Sequence, residues 1–183
     1  AGTGGFLFSS LSYILSKRTD PEQLQIEWDG TPHRVYGDQF TREEFEEVHH
    51  GKYFVGLDND RTMIRIGWMN MILHGLEDPQ IHQRDSLGTR KEDDPLKHLL
   101  ASEAYDVVLA NPPFTGTVDT ADLEASIFPK AGAKGKKASQ VVTNKSELLF
   151  VWRMLDLLSV GGRCAVIVPE GVLFGNTEGH VKL

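Results

Sequence analysis

An apolar stretch that ends in Asn111-Pro112-Pro113-Phe114 is the part of the chain whose residue types best fit a chemical role. Residues 105–110 predict a strand that cannot continue into the two prolines, because proline fixes φ and lacks a backbone donor. The Asn111 amide and the Phe114 ring are then displayed on a stiff turn at the strand's carboxyl end, where open α/β sheets bind ligands. An amide that accepts from an exocyclic amine, beside a ring that stacks on a base, suits an enzyme acting on an amino group of a nucleobase.

A second candidate feature is the glycine-rich segment Gly2-Thr3-Gly4-Gly5, which precedes a helix predicted over residues 6–17. Glycines permit positive φ and close backbone approach, and a helix N-terminus offers free N–H groups. The pattern is typical of a nucleotide cradle, although glycine-rich turns before helices are common. The strand that should precede such a turn is absent, so we expect a fragment that lacks its first core strand.

Asp58 follows a short apolar run, residues 53–57, that predicts a strand and a turn. An acidic residue in this setting normally takes ribose hydroxyls, ~20 residues after the glycine-rich turn. Asp58 lies far beyond that spacing, so residues 18–50 would have to be an insertion. The alternative is that Asp58 caps a turn or a helix, and Asp60 is its rival for the N-cap of a helix predicted over residues 60–74.

The remaining pattern alternates strands with helices. Further strands are predicted over residues 80–84, 105–110 and 163–168, the last of them buried, and a further helix over residues 146–159. Ser146 or Asn144 would cap that helix, and Gly161-Gly162 would end it. Residues 115–145, rich in Gly, Ala, Thr and Lys, predict a long loop. This order predicts an α/β fold with a mostly parallel sheet and crossover helices.

Composition narrows the possible classes of protein. A chain of 183 residues fits one domain. Its formal net charge of −7 argues against a stand-alone nucleic-acid binder, since such proteins carry a basic face. Another chain or a missing segment would then supply much of any phosphate contact. The one local basic cluster, Lys130, Lys134, Lys136 and Lys137, is either a DNA contact or a solvated loop.

The cysteine, histidine and hydropathy patterns argue against a disulfide-bonded, a metal-binding and a membrane-spanning protein. The single cysteine, Cys164, excludes an internal disulfide and suits a reducing compartment such as the cytoplasm. The histidines show no metal-ligand spacing, so no metal site is expected. No stretch approaches the ~20 apolar residues of a membrane span.

Taken in order, the motifs resemble those of the modification subunits of type I restriction–modification systems, which are DNA adenine-N6 methyltransferases. The resemblance is carried by residues 2–7, 56–58, 70–75, 85–87, 111–114, 146–150, 161–169 and 171–175. It is weakest over residues 18–50 and 115–145. It implies a Rossmann-like S-adenosylmethionine-dependent methyltransferase fold with helices on both faces of the sheet. Residues 1–183 would form a partial catalytic domain, truncated at both ends.

The resemblance also implies S-adenosylmethionine as the methyl donor. The residues implied to contact it are Gly2, Thr3, Gly4, Gly5, Phe6, Asp58, Asp85 and Leu87. Residues 2–6 would lie against the methionine portion, Asp58 would hold the ribose hydroxyls, and Asp85, with Leu87 nearby, would approach the adenine.

On the substrate side, the resemblance implies double-stranded DNA with its target adenine flipped towards Asn111. Phe114 would stack on that base, while the Asn111 side-chain oxygen and the Pro112 carbonyl accept hydrogen bonds from its amino group. A specificity subunit and a restriction subunit would be the protein partners. Two alternatives stay open: a protein-glutamine or RNA amino-group methyltransferase with the same turn, and a non-catalytic binding or assembly remnant.

Overall fold

The computed structural model describes residues 1–33, 35–51, 53–88, 93–114, 116–119, 123, 128 and 143–181. The chain divides into two compact units, Ala1–Arg84 and Asp85–Leu183. Within the described ranges, no helix has the length and apolar character that crossing a bilayer requires.

The first unit is a β-α-β unit with an added hairpin and two further helices. Its elements are α1 (Gly5–Lys17), β1 (Gln25–Ile26), β2 (Pro32–His33), α2 (Arg42–His49), β3 (Val55–Asp58), α3 (Arg61–Leu73) and β4 (Gln80–Gln83). Strands β3 and β4 pair in parallel through α3, so that Asp58 lies opposite Gln83. Strands β1 and β2 pair antiparallel. The core contains Leu11 and Leu15 of α1, Met71 of α3 and Ile81 of β4.

Local sequence signals account for the helix ends of this unit. Helix α2 begins with a capping box, in which Thr41 and Glu44 exchange side-chain-to-backbone hydrogen bonds. Helix α3 is capped by Asp60, whose carboxylate accepts from the N–H groups of Thr62 and Met63. Asp60 is therefore the N-cap, and Asp58 is left for another role. The helix ends before Gly75, whose φ of 91° is accessible to glycine without strain.

The second unit repeats the parallel β-α-β connection. Its elements are a 3₁₀ turn (Lys97–Leu100), β5 (Tyr105–Ala110), α4 (Ser146–Leu157), β6 (Leu158–Val166), α5 (Glu170–Leu173) and α6 (Glu178–Val181). Strand β5 has the predicted bounds and pairs in parallel with β6. A core cluster joins Leu149 of α4 to Leu87, Leu123 and Phe128.

Two predictions about strand β6 are wrong. Gly161-Gly162 does not end helix α4, because α4 stops at Leu157 and β6 starts at once at Leu158. The glycines lie instead inside β6, where the register shifts between the pairs Tyr105↔Leu158 and Val107↔Arg163, and Gly161 takes a φ of 84°. The strand is also not buried, since its residues are exposed or half-buried throughout. Strand β5 is its only strand partner among the described residues.

The predicted cap of α4 is also wrong. Lys145 occupies the N-cap position, and no side chain caps the helix. The Ser146 N–H donates to the carbonyl of Gly116, and Ser146 itself is buried. A backbone carbonyl from the segment after β5 thus takes the place expected for a Ser146 or Asn144 side chain.

Candidate functional site

The glycine-rich segment forms a tight turn ahead of α1. Gly2 and Gly4 have φ values of 56° and 81°. Residues that carry a side chain are strained in this region of positive φ. The Gly4 N–H donates to the Ala1 carbonyl over 3.1 Å and closes the turn. Gly4 is the N-cap of α1, and the first helical bond is donated to its carbonyl by Leu7. The N–H groups of Gly5 and Phe6 precede that bond, as at any helix start, and suit an anionic or polar ligand.

Asp58 ties this turn to the carboxyl end of β3. Its Oδ2 accepts the Gly2 N–H over 2.7 Å, and its Oδ1 accepts the Asp60 N–H over 2.9 Å. The Ala1 amino group donates to Oδ2 over 3.1 Å. The Asp58 side chain is 21% exposed. A carboxylate offers about four acceptor positions, so Oδ1 keeps one for a ligand hydroxyl.

These contacts keep Asp58 ionised at neutral pH. Partial burial, the largest single influence, acts to raise the pKa of the carboxyl group. The N–H groups of Asp60 and Gly2, together with the Ala1 amino group, outweigh burial and hold the pKa below the ordinary 3.8. The side chain therefore presents a negative, hydrogen-bond-accepting edge.

Two residues that were not predicted as site residues, Gly67 and Asn70, lie on the face of α3 against the turn. The Asn70 amide donates to the Thr3 carbonyl over 2.9 Å. Gly67 is buried and lies against the backbone of Gly2 and Gly4. A usable signal was present, because glycine and asparagine are both poor helix formers and stand three residues apart in the middle of a helix.

Asp85 and Leu87 lie at the start of the second unit. The exposed Asp85 carboxylate accepts the Leu87 N–H over 2.9 Å, which fixes a turn soon after β4. The Leu87 side chain is only 3% exposed and belongs to the core cluster around Leu149. Their contact with adenine stays a prediction, and the free edge of this turn is the Asp85 carboxylate rather than the Leu87 side chain.

The Asn-Pro-Pro-Phe turn follows β5 as the sequence predicts. The Ala110 carbonyl accepts the Ile167 N–H over 3.1 Å, so pairing with the segment after β6 continues up to the turn itself. Pro112 is buried and anchors the turn, whereas Pro113 and Asn111 are exposed. Phe114 is 47% exposed, so its ring does not fill the core. Within the part of the chain that the structure describes, no group hydrogen-bonds the Asn111 side chain.

One further candidate lies outside the described residues. The basic cluster Lys130, Lys134, Lys136 and Lys137 has no structural description, and its two interpretations stay open.

Comparison with known proteins matches the chain to one family model and to methylase subunits of type I restriction enzymes. The family model described as N-6 DNA Methylase matches residues 1–182. The chain is 28% identical over 184 residues to the Type I restriction enzyme EcoKI methylase subunit of Escherichia coli (strain K12), covering 98% of this chain and 28% of that protein. It is 33% identical over 109 residues to the Type I restriction enzyme EcoEI methylase subunit of Escherichia coli, covering 58% of this chain and 18% of that protein.

The fold matches that of a solved methylase. The crystal structure of the Type I restriction enzyme EcoKI M protein superposes with a TM-score of 0.62 at 24% identity, covering 98% of this chain and 30% of that chain. The chain therefore spans less than a third of these relatives. The predicted Rossmann-like α/β methyltransferase fold is confirmed by this match. Since the family model covers almost every residue, the chain belongs to the N-6 DNA methylase family.

Proposed function

We propose that this chain is the catalytic-domain part of an S-adenosylmethionine-dependent DNA adenine-N6 methyltransferase, the modification subunit of a type I restriction–modification complex. The observation that carries the proposal is the turn after β5, which presents the Asn111 amide and the Phe114 ring to solvent on two prolines. Membership of the N-6 DNA methylase family supports it.

The first unit fits the cofactor. S-adenosylmethionine supplies an electrophilic methyl group when it is bound. The turn at residues 2–4, together with the first residues of α1, Gly5 and Phe6, suits the carboxylate of the methionine portion. The ionised Asp58, with an acceptor position left on Oδ1, suits a ribose hydroxyl. Asp85, which is an exposed residue at the start of the second unit, would approach the adenine ring.

The second unit supplies groups for the target base. The amino nitrogen of adenine is a weak nucleophile because its lone pair is delocalised into the ring. The Asn111 side-chain oxygen and the Pro112 carbonyl would accept its two N–H groups, which favours a pyramidal nitrogen with a localised lone pair. Phe114 would stack on the flipped base. Positioning then supplies much of the rate acceleration, and no general base of shifted pKa is required.

The partners follow from the same proposal. The substrate would be duplex DNA, and the net charge of −7 leaves much of the phosphate contact to other subunits. A specificity subunit would recognise the DNA sequence, and a restriction subunit would complete the complex. The names of the matched relatives, which are methylase subunits of type I restriction enzymes, support this assignment.

The test compares Asn111→Ala with Asn144→Ala, which removes another exposed asparagine amide in the same unit. Transfer of a labelled methyl group to unmethylated duplex DNA is measured with a specificity subunit added, and cofactor affinity is measured by calorimetry. Asn111→Ala should lose transfer by about a hundredfold or more while cofactor affinity is unchanged. Asn144→Ala should behave like the unsubstituted chain.

Normal turnover by Asn111→Ala would contradict the proposal. Substrate competition separates the alternatives, because a protein-glutamine or RNA methyltransferase would transfer the label to peptide or RNA in preference to DNA. A chain that binds cofactor and transfers to none of the three would be a binding or assembly remnant.

A further inference from the structure

The turn at Gly2–Gly4 rests against one face of helix α3. A Cβ atom added to Gly67 would lie 3.2 Å from the Gly2 carbonyl oxygen and 3.6 Å from the Gly4 nitrogen, so the turn and the helix are in direct backbone contact. One helical turn further along the same face, the Asn70 amide donates to the Thr3 carbonyl over 2.9 Å. Gly67 and Asn70 together contact three successive residues of the turn.

We infer that Gly67 and Asn70 are positioning residues, which hold the turn in the conformation that receives the methionine portion of S-adenosylmethionine. This inference rests on the proposed function. Neither residue would touch the ligand. Gly67 lets the backbone approach α3, and Asn70 fixes the direction of one peptide group of the turn.

The direction of that peptide group matters for an anionic ligand. A carbonyl oxygen carries partial negative charge and repels a carboxylate, whereas backbone N–H groups attract one. The Asn70 amide draws the Thr3 oxygen towards α3. The N–H groups of Gly5 and Phe6 are then left to the ligand side of the turn without a competing carbonyl.

The helix gives up some of its own stability to carry these residues. Glycine in a helix interior costs about 1 kcal/mol relative to alanine, and asparagine is also unfavourable there. Alanine at position 67 would place its Cβ 3.0 Å from Ile81 Cδ1 as well as close to Gly2. The turn and β4 therefore leave little room for a side chain at this position.

If Gly67 and Asn70 act in this way, replacing them should weaken binding of the methionine portion selectively. Asp58 is the proposed ribose contact, whereas the turn is the proposed contact of the methionine portion. Asn70→Ala and Gly67→Ala should weaken binding of S-adenosylmethionine by about tenfold, the effect of losing one hydrogen bond or its alignment. Binding of 5′-methylthioadenosine, which lacks the amino-acid portion, should change by less than about twofold.

The experiment measures the dissociation constants of both compounds by calorimetry for the full 183-residue chain and its variants. Asn144→Ala serves as the matched control, since it removes an exposed asparagine amide in the other unit. The decisive quantity is the dissociation constant of S-adenosylmethionine divided by that of 5′-methylthioadenosine. Partial unfolding of a variant weakens both apparent affinities by the same factor and leaves the ratio unchanged.

A ratio raised about tenfold in both variants, and unchanged in Asn144→Ala, is the expected result. An unchanged ratio in Asn70→Ala and Gly67→Ala would overturn the inference while leaving the proposed function intact. Failure of the unsubstituted chain to bind either compound would overturn the proposed function, and the inference with it.

Discussion

The Gly2 N–H and the Asp58 carboxylate are joined by a 2.7 Å hydrogen bond, which connects the turn ahead of α1 to the end of β3. A single carboxylate thus stabilises the shape of the glycine-rich turn and offers the edge proposed to bind ribose. Removing it is expected to affect both the order of the turn and the affinity for an adenosine compound.

Asp58 predicts a pH dependence of stability. Its pKa in the folded chain lies below the ordinary 3.8, so the carboxylate stabilises the fold above that value. The contribution is lost as the pH falls through the lowered pKa. We expect Asp58→Asn to lose less free energy of unfolding than the unsubstituted chain between pH 5 and pH 3, as measured by urea denaturation.

The control for this prediction is Glu22→Gln, which removes an exposed carboxylate elsewhere in the same unit. The Asp29 carboxyl, whose pKa is lowered by hydrogen bonds from the Thr31 side chain and backbone, contributes equally to all three proteins. Identical losses in Asp58→Asn and the unsubstituted chain would show that the contacts of the Asp58 carboxylate with Asp60, Gly2 and Ala1 do not stabilise the fold.

Asp60 predicts a helix-capping effect on stability. Its carboxylate accepts from the N–H groups of Thr62 and Met63 at the start of α3. Asp60→Ala should lower the free energy of unfolding by about 1 kcal/mol, whereas Asp60→Asn, which keeps a capping oxygen, should change it by a few tenths at most. Chemical denaturation of the two variants checks this, and equal losses would argue that charge rather than capping matters.

The exposure of the Phe114 ring predicts that removing it weakens base binding but hardly changes stability. Because the ring is 47% exposed, Phe114→Ala should change the free energy of unfolding by no more than about 0.5 kcal/mol. Affinity for a single-stranded adenine-containing oligonucleotide, measured by fluorescence anisotropy, should fall by about 1–3 kcal/mol. Phe114→Trp should retain binding. A loss of stability near 3 kcal/mol would instead indicate a core role for the ring.

Leu149 and Leu155 form a matched pair on helix α4. Leu149 is fully buried in the core cluster with Leu87, whereas Leu155 is 48% exposed. Leu149→Ala should lower the free energy of unfolding by about 2–5 kcal/mol, and Leu155→Ala by well under half of that, since truncating a buried side chain leaves a cavity. Thermal or urea unfolding measures both, and similar losses would contradict the assigned burial.

Much of the fold could be predicted because the signals were local. The bounds of β5, the capping box at Thr41 and the glycine stop at Gly75 each follow from residues within a few positions of the element. The end of β5 at Asn111 was predictable for the same reason, since two prolines lack the N–H donors that a strand needs to continue.

The errors fall where distant residues decide the structure. Burial of β6 depends on which distant segments pack against its faces, and the start of α4 depends on a carbonyl at Gly116, thirty positions before Ser146. The support that Asn70 gives to Thr3 spans 67 positions, so neither periodicity nor spacing reveals it. Sequence patterns identified the glycine-rich turn, and the tertiary contacts show what holds it.

The open pair of strands β5 and β6 has a consequence for handling this chain. Val107 and Leu109 of β5 are 50% and 38% exposed, and β5 has no second strand partner among the described residues. An apolar strand with an unpaired backbone edge is a template for pairing with another copy. Aggregation through intermolecular β-sheet is therefore the expected route by which the isolated chain is lost from solution at high concentration, and a soluble fusion partner or dilute conditions should suppress it.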